Sequence, residues 1–178
     1  MKVLRRSGLA LVVLSNLLAP TIVSADAIGD ARETLEHFRK KDPALSKFLE
    51  GAAGYAVFPT VGKGGFGVGG AYGKGTLFER GTPVGAASLT QATVGFQLGG
   101  QAYSEIIFFE TPHTLTAFKE GQLALAAQAS AVAVTAGASA DAHYREGVAV
   151  FTLAKGGLMY EASVGGQKFD YEPFKKAP

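Results

Sequence analysis

The chain has 178 residues, no cysteine and no tryptophan, with 17 basic and 15 acidic residues and a formal net charge of +2. Without cysteine there is no disulfide scaffold, no thiol nucleophile, no cysteine metal site and no lipobox that would make a lipoprotein. The length suits one domain with its own core, and the near-balanced charge excludes a nucleic-acid binder working through a dominating positive field.

Lys2, Arg5 and Arg6 precede an apolar run from Leu9 to Val23 that is broken by Ser15, Asn16 and Pro20, and Ser24 and Ala25 come after it. This is the pattern of a secretory signal peptide over residues 1–25, with cleavage after Ala25 or Ala27, and not of a membrane span. Removing it leaves 14 basic and 15 acidic residues, so the positive balance belongs to the leader. The expectation is an exported protein of a bacterial periplasm or envelope, with residues 26–178 forming a single domain.

Asp30 reads as an N-cap with Glu33 at N3, opening a helix whose Ile28, Ala31, Leu35 and Phe38 share one face. At 100° per residue those four span roughly a quarter of the helical wheel. Arg32 and Arg39 flank them, and Lys40 and Lys41 extend the basic cluster. Asp42-Pro43 then starts a second short helix carrying Leu45, Phe48 and Leu49, and Gly51 ends it. Gly51 and the stretch Gly54 to Gly75 hold ten of the chain's 24 glycines. Their interleaving with Val57, Phe58, Val61, Phe66, Val68 and Tyr72 predicts short strands, tight turns and a strongly curved antiparallel sheet.

Gly54-Tyr-Ala-Val-Phe58 with Lys63-Gly64-Gly65 after it is echoed by Gly147-Val-Ala-Val-Phe151 with Lys155-Gly156-Gly157 after it, which reads as two related hairpins with Lys-Gly-Gly turns. Thr76–Arg80, Val84–Leu89, Ala92–Gln101 and Tyr103–Glu110 read as strands, the last covered on both faces because Ile106 to Phe109 are all apolar. Thr111 and Pro112 open a short helix with Leu115 and Phe118 inside and Gly121 at its end. Leu123 to Ala142 is Ala-, Val- and Ser-rich and reads as strand, and further strands are expected at 148–153, 158–164 and 167–171. The fold class is α+β: a curved, mainly antiparallel sheet, sandwich- or barrel-like, with two N-terminal helices and one short mid-chain helix.

No catalytic constellation emerges. Gly65-Phe-Gly67-Val-Gly69-Gly70 matches a dinucleotide fingerprint formally, but Tyr72-Gly73-Lys74-Gly75 beyond it is a poor helix start and no acidic residue stands some twenty positions on. His37, His113 and His143 lack a ligand partner at helical spacing and read as surface residues. Ser104 beside Glu105 has no nucleophile-elbow context. Neither an enzyme activity nor a cofactor is expected.

Four blocks in order, GYAVFPTVGKGGFGVGGAYGKGTLFERG, SLTQATVGFQLGGQAYSEIIFFE, AFKEGQLALAAQASAVAVTAG and VAVFTLAKGGLMYEASVGG, resemble the SYLF lipid-binding domain family of actin-patch proteins and secreted bacterial proteins. The resemblance spans the mature chain from about Ile28 to Phe174. It implies a non-enzymatic phospholipid-binding module, directed to phosphoinositides in eukaryotic members, with actin binding in some; neither partner suits a protein exported by a bacterium. Leu125-Ala-Ala-Gln128-Ala129 departs from the family's Leu-Gly-Ala-Asp-Ala-like segment, and a common tryptophan is absent. The expected partner is a phospholipid or membrane surface. The candidate lipid-binding residues are Arg32, Leu35, Phe38, Arg39, Lys40 and Lys41 on the first helix, and Lys63, Lys74 and Lys155 on the glycine-rich sheet. The rival expectation is a structural or protein-interaction module whose helices merely cover the core.

Overall fold

The computed structural model describes residues 25–66, 68–94, 101–126, 129–156 and 162–175. The expected signal peptide lies outside the described residues. Helix α1 spans Ala25–Lys41, a 3-10 turn spans Pro43–Leu45 and α2 spans Ser46–Gly51. The strands are β1 (Gly54–Phe66), β2 (Val68–Glu79), β3 (Thr82–Val94) and β4 (Gln101–Phe109). After α3 (Pro112–Lys119) come β5 (Ser130–Ala133), β6 (Val148–Lys155), β7 (Ala162–Ser163) and β8 (Gln167–Pro173).

One sheet runs in the order β7-β5-β6-β4-β1-β2-β3-β8, with every pairing antiparallel except β5 with β6. Two stretches, 124–126 and 164–166, run alongside each other near its ends, with Gly166 N–H donating to Leu125 O at 3.0 Å. Ala124 bridges to Lys168 of β8, Leu125 N–H donates to Gln167 O at 3.1 Å, and the same chain runs on into β5. The α+β class and the curved antiparallel sheet expected from the sequence are therefore what the chain adopts.

Strand alternation sends side chains to two separate cores. Ala56, Phe58, Val61, Ile107, Phe109, Val148 and Val150 pack inside the curve with Leu115 and Phe118 of α3. Tyr55, Val57, Ile106, Phe108, Ala149 and Phe151 face outward and are covered by Ala31 and Phe38 of α1 and by Leu45 and Phe48. Phe48 sits 4.9 Å from Phe151 and 5.6 Å from Phe108, ring centre to ring centre. Four consecutive apolar residues in β4 are thus the mark of a strand buried on both sides.

Curvature comes from a bulge and from missing side chains. Register shifts against both neighbours of β1 occur around Pro59, which has no N–H to give a ladder. A Cβ on Gly75 would collide with Val57 O and lie 2.7 Å from the Phe58 ring, and one on Gly85 would overlap the Tyr171 ring. Only glycine lets those rings lie on the neighbouring backbone.

Four local expectations change. Asp30 is no N-cap, because α1 starts at Ala25 and Asp30 lies within it. Lys63-Gly64-Gly65 is no turn: it sits in β1, paired with Gly69 to Ala71 of β2, whereas Gly156 does leave β6 with a φ of +70°. The two-hairpin echo therefore fails at its first copy. Among the described residues of 123–142 the one strand is the four-residue β5, with turns from 136 to 141 after it. Parts of the strands expected at 92–101 and 158–164 fall outside the described residues.

Candidate functional site

Asp42 decides how the basic end of α1 is held. Its carboxylate accepts from Ala44 N–H at 3.1 Å, capping the 3-10 turn, and also from Gly137 N–H at 3.3 Å and Ser139 N–H at 2.7 Å. The side chain is buried; burial works against the charge, but the bonds from Ser139, Ala44 and Gly137 outweigh it and hold the carboxyl below the usual range. Lys47 Nζ adds two bonds to the same loop, to Ala140 O at 2.5 Å and Ala142 O at 3.2 Å. Asp42→Ala strips three backbone donors of one acceptor and should cost about 2 kcal/mol in a urea titration, with part of the loss recovered by Asp42→Asn.

The α1 candidates divide. Phe38 is fully buried and Leu35 is half-buried against the outer core, so these two are corrected from lipid contacts to core cover. The reason is that the outer face of β1 and β4 presents Val57, Ile106 and Phe108, which need an apolar lid. Arg32 lies over the Phe78 ring at 5.7 Å, and Arg39 pairs with Glu36 at 2.8 Å with both side chains about half exposed. Lys40 and Lys41 are exposed at the helix end.

The three lysines of the sheet do not form one patch. Lys63 is half-buried, and Glu105 inside the curve acts on its charge. Lys74 is exposed on the outer surface of β2, in a groove shared with Tyr72, Ser88 and Asp170. Lys155 is exposed at the end of β6 and donates to Thr60 Oγ1 at 2.7 Å.

Sequence reasoning passes over the polar group inside the sheet. Glu105 is completely buried on the inward side of β4, paired across the strands with Thr152, and its Oε2 accepts from Gln167 Nε2 at 3.0 Å. Burial pushes the carboxyl up to about 7, against the pull of Gln167, Tyr103 and Lys63. Burial and the adjacent Glu105 together raise the Tyr103 phenol far above its normal value. Glu105 Oε1, Gln167 Oε1 and Thr152 Oγ1 find no hydrogen-bond partner among the described residues. The only sequence signal is a charged residue at an inward position of an otherwise apolar strand.

Among the described residues no group of three His, Cys, Asp or Glu could hold a metal ion, and His37, His113 and His143 are all exposed. Of the Gly65 to Gly70 fingerprint, Gly65 and Phe66 end β1 and Val68 to Gly70 begin β2, which leads into no helix. No helix among the described residues is long and apolar enough to cross a membrane.

A family model described as Ysc84, Las17-binding protein actin regulator, matches residues 90–172. Over that stretch, somewhat less than half of the chain, the protein is similar to the Ysc84 (SYLF) family. The SYLF match runs from the end of β3 through β8 and contains Glu105, Gln167 and the loop that Asp42 holds; α1, β1 and β2 lie ahead of it. No curated protein matches the chain.

Proposed function

We propose that the protein is an exported, non-enzymatic lipid-binding domain that associates with membrane surfaces of a bacterial cell envelope. The SYLF match supports the class, and the observation that carries the surface is the exposed basic end of α1, Arg39, Lys40 and Lys41, pinned by Asp42 to the SYLF loop at 137–139. Each such side chain contributes about 1 kcal/mol near an anionic bilayer and is screened by salt.

Charge reversal of Arg39, Lys40 and Lys41 together tests this by co-sedimentation with phosphatidylglycerol vesicles. Binding should fall at least tenfold with little change in melting temperature, and added salt should reproduce the fall in the wild type. If reversal of Lys74 and Lys155 abolishes binding while the first triple leaves it intact, the contact lies on the sheet instead.

A second reading is a structural or protein-interaction module. Its support is the family description, which names a protein partner, Las17, for the proteins it was built on. Saturable binding to a detectable protein, with none to vesicles of any composition, would favour it.

A further inference from the structure

Gln167 is where three parts of the sheet meet. Its side chain crosses the interior from β8 to β4, donating to Glu105 Oε2 at 3.0 Å with Tyr103 Oη at 3.5 Å, and its backbone O accepts from Leu125 N–H at 3.1 Å. In the sheet β1, β2 and β3 stand between β4 and β8, so these side chains reach one another only because the sheet curves round.

The turn that leads into β8 is tied from the same side. Gly165 O accepts from Nε2 of the buried Gln91 of β3 at 2.8 Å, Gly166 N–H donates to Leu125 O at 3.0 Å, and Gln167 N–H closes the turn onto Val164 O at 3.3 Å. Ahead of Leu125 the two stretches share one isolated bridge, Ala124 with Lys168, and Gln167 with Gln91 is the last pair of the β3–β8 ladder. The cover on the other sides of Glu105 is firmer: β4 is laddered to both β1 and β6, with Phe58 and Thr152 directly opposite Glu105. The closure at 124–125 and 164–168 is therefore the most weakly bonded element round the carboxyl. Gly165 and Gly166, the latter at a φ of +77°, give it a pivot.

We infer that this closure is a pH-operated hinge: it stays shut while Glu105 is protonated, and when Glu105 ionises the stretches 124–125 and 164–167 part and admit water to the carboxylate. The driving force is hydration of a charge. Glu105 is completely buried and its Oε1 finds no partner among the described residues, so a carboxylate there holds a charge that one hydrogen bond and a distant cation only partly compensate. Among the described residues the titratable groups acting on it are Lys63 of β1 and Tyr103 of β4. Both favour the ionised form, as does Gln167, and burial outweighs all three, raising the carboxyl to about 7. Phe58 of β1, Thr152 of β6 and Gln167 of β8 bring no charge, and Lys168 is exposed. Opening returns the carboxyl towards its solvated value, so it is favoured as pH rises. It also uncovers Leu125 and Val164 of the inner core. The hinge does not depend on the lipid reading.

Amide hydrogen exchange of the wild-type protein, read by NMR and corrected for the intrinsic effect of pH, tests the hinge. Between pH 5.5 and pH 8.5 the opening constant at Leu125 and Gly166 should rise about tenfold or more, because a carboxyl that titrates at about 7 when shut returns towards 4.5 when open. A hinge exposes little surface, so about 1 M urea should hardly change exchange at these two amides while it speeds exchange along β4. Glu105→Gln should hold both amides flat across the pH range. Exchange at Leu125 and Gly166 that ignores pH overturns the inference. So does a rise that the β4 amides share in size and in urea dependence, which would place the effect of Glu105 in global unfolding alone. Should Glu105→Gln fail to fold, the wild-type pH and urea series decide between these outcomes without it.

Discussion

Phe38→Asp should unfold the protein, while reversing the charges of Arg39, Lys40 and Lys41 should leave its melting temperature nearly unchanged. Phe38 has no exposed surface and packs in the outer core with Val57, Ile106, Phe108 and Phe151. Losing a buried phenylalanine costs about 3–5 kcal/mol before the penalty for an unpaired buried carboxylate is added. The total approaches the whole stability of a domain this size. Circular dichroism of the two variants side by side reads the contrast. A folded Phe38→Asp protein would make the α1 face a lipid contact again and would contradict the burial of Phe38.

The second large effect is a dependence on pH centred on Glu105. In the folded chain its carboxyl titrates at about 7, against 4.5 for the same group in the open. A group raised in this way is protonated when folded and ionised when unfolded between those two values, so stability is full below about 4.5 and is lost as pH rises through 7. The loss amounts to about 3 kcal/mol, with burial as its cause. Protonation also lends the interior a donor where Glu105, Gln167 and Thr152 each carry an oxygen without a partner among the described residues. Lys63 and Tyr103 are the other titratable groups acting on this carboxyl, and neither of their shifts reverses the sign. Urea midpoints from pH 4 to pH 8.5 should fall for the wild type and stay nearly flat for Glu105→Gln. A wild-type curve that rises with pH over that interval would show the carboxyl to be ionised and satisfied.

Much of the fold is legible where the signal is local. Thr111 accepts from Thr114 N–H and Pro112 opens α3, as the Thr-Pro pair predicts, and Asp42 does the same for the 3-10 turn beside Pro43. The run Ile106 to Phe109 tells of two covered faces because no solvent-facing strand tolerates it. The features that escape depend on partners far away in the chain. Asp42 reaches its loop across 95 and 97 residues, and nothing near it in sequence announces that reach. Lys63-Gly64-Gly65 reads as a turn because glycine permits both turns and close backbone approach, and only the ladder with β2 decides between them. β5 pairs with β7 and then joins β6 in parallel, an arrangement set by topology and invisible to periodicity. Glu105 likewise reads as a neighbour of Ser104 and not as a buried charge, since which strands close over it is a non-local fact.

The proposed membrane contact rests on the basic end of α1. The apolar stripe beside it turns inward to cover β1 and β4, yet Arg39, Lys40 and Lys41 stay in solvent at the end where the loop at 137–139 is tied down. The lipid reading thus loses its greasy helix face and keeps its charge.

Whether this chain carries lipid at all is read by mass spectrometry of the lipids that stay with the mature protein through purification from its native membranes. Phospholipid should be enriched over the membrane average, in a ratio near one per chain, and should be lost from the Arg39, Lys40 and Lys41 triple reversal. Protein recovered free of lipid, with a stoichiometric protein partner in its place, would contradict the lipid-binding function.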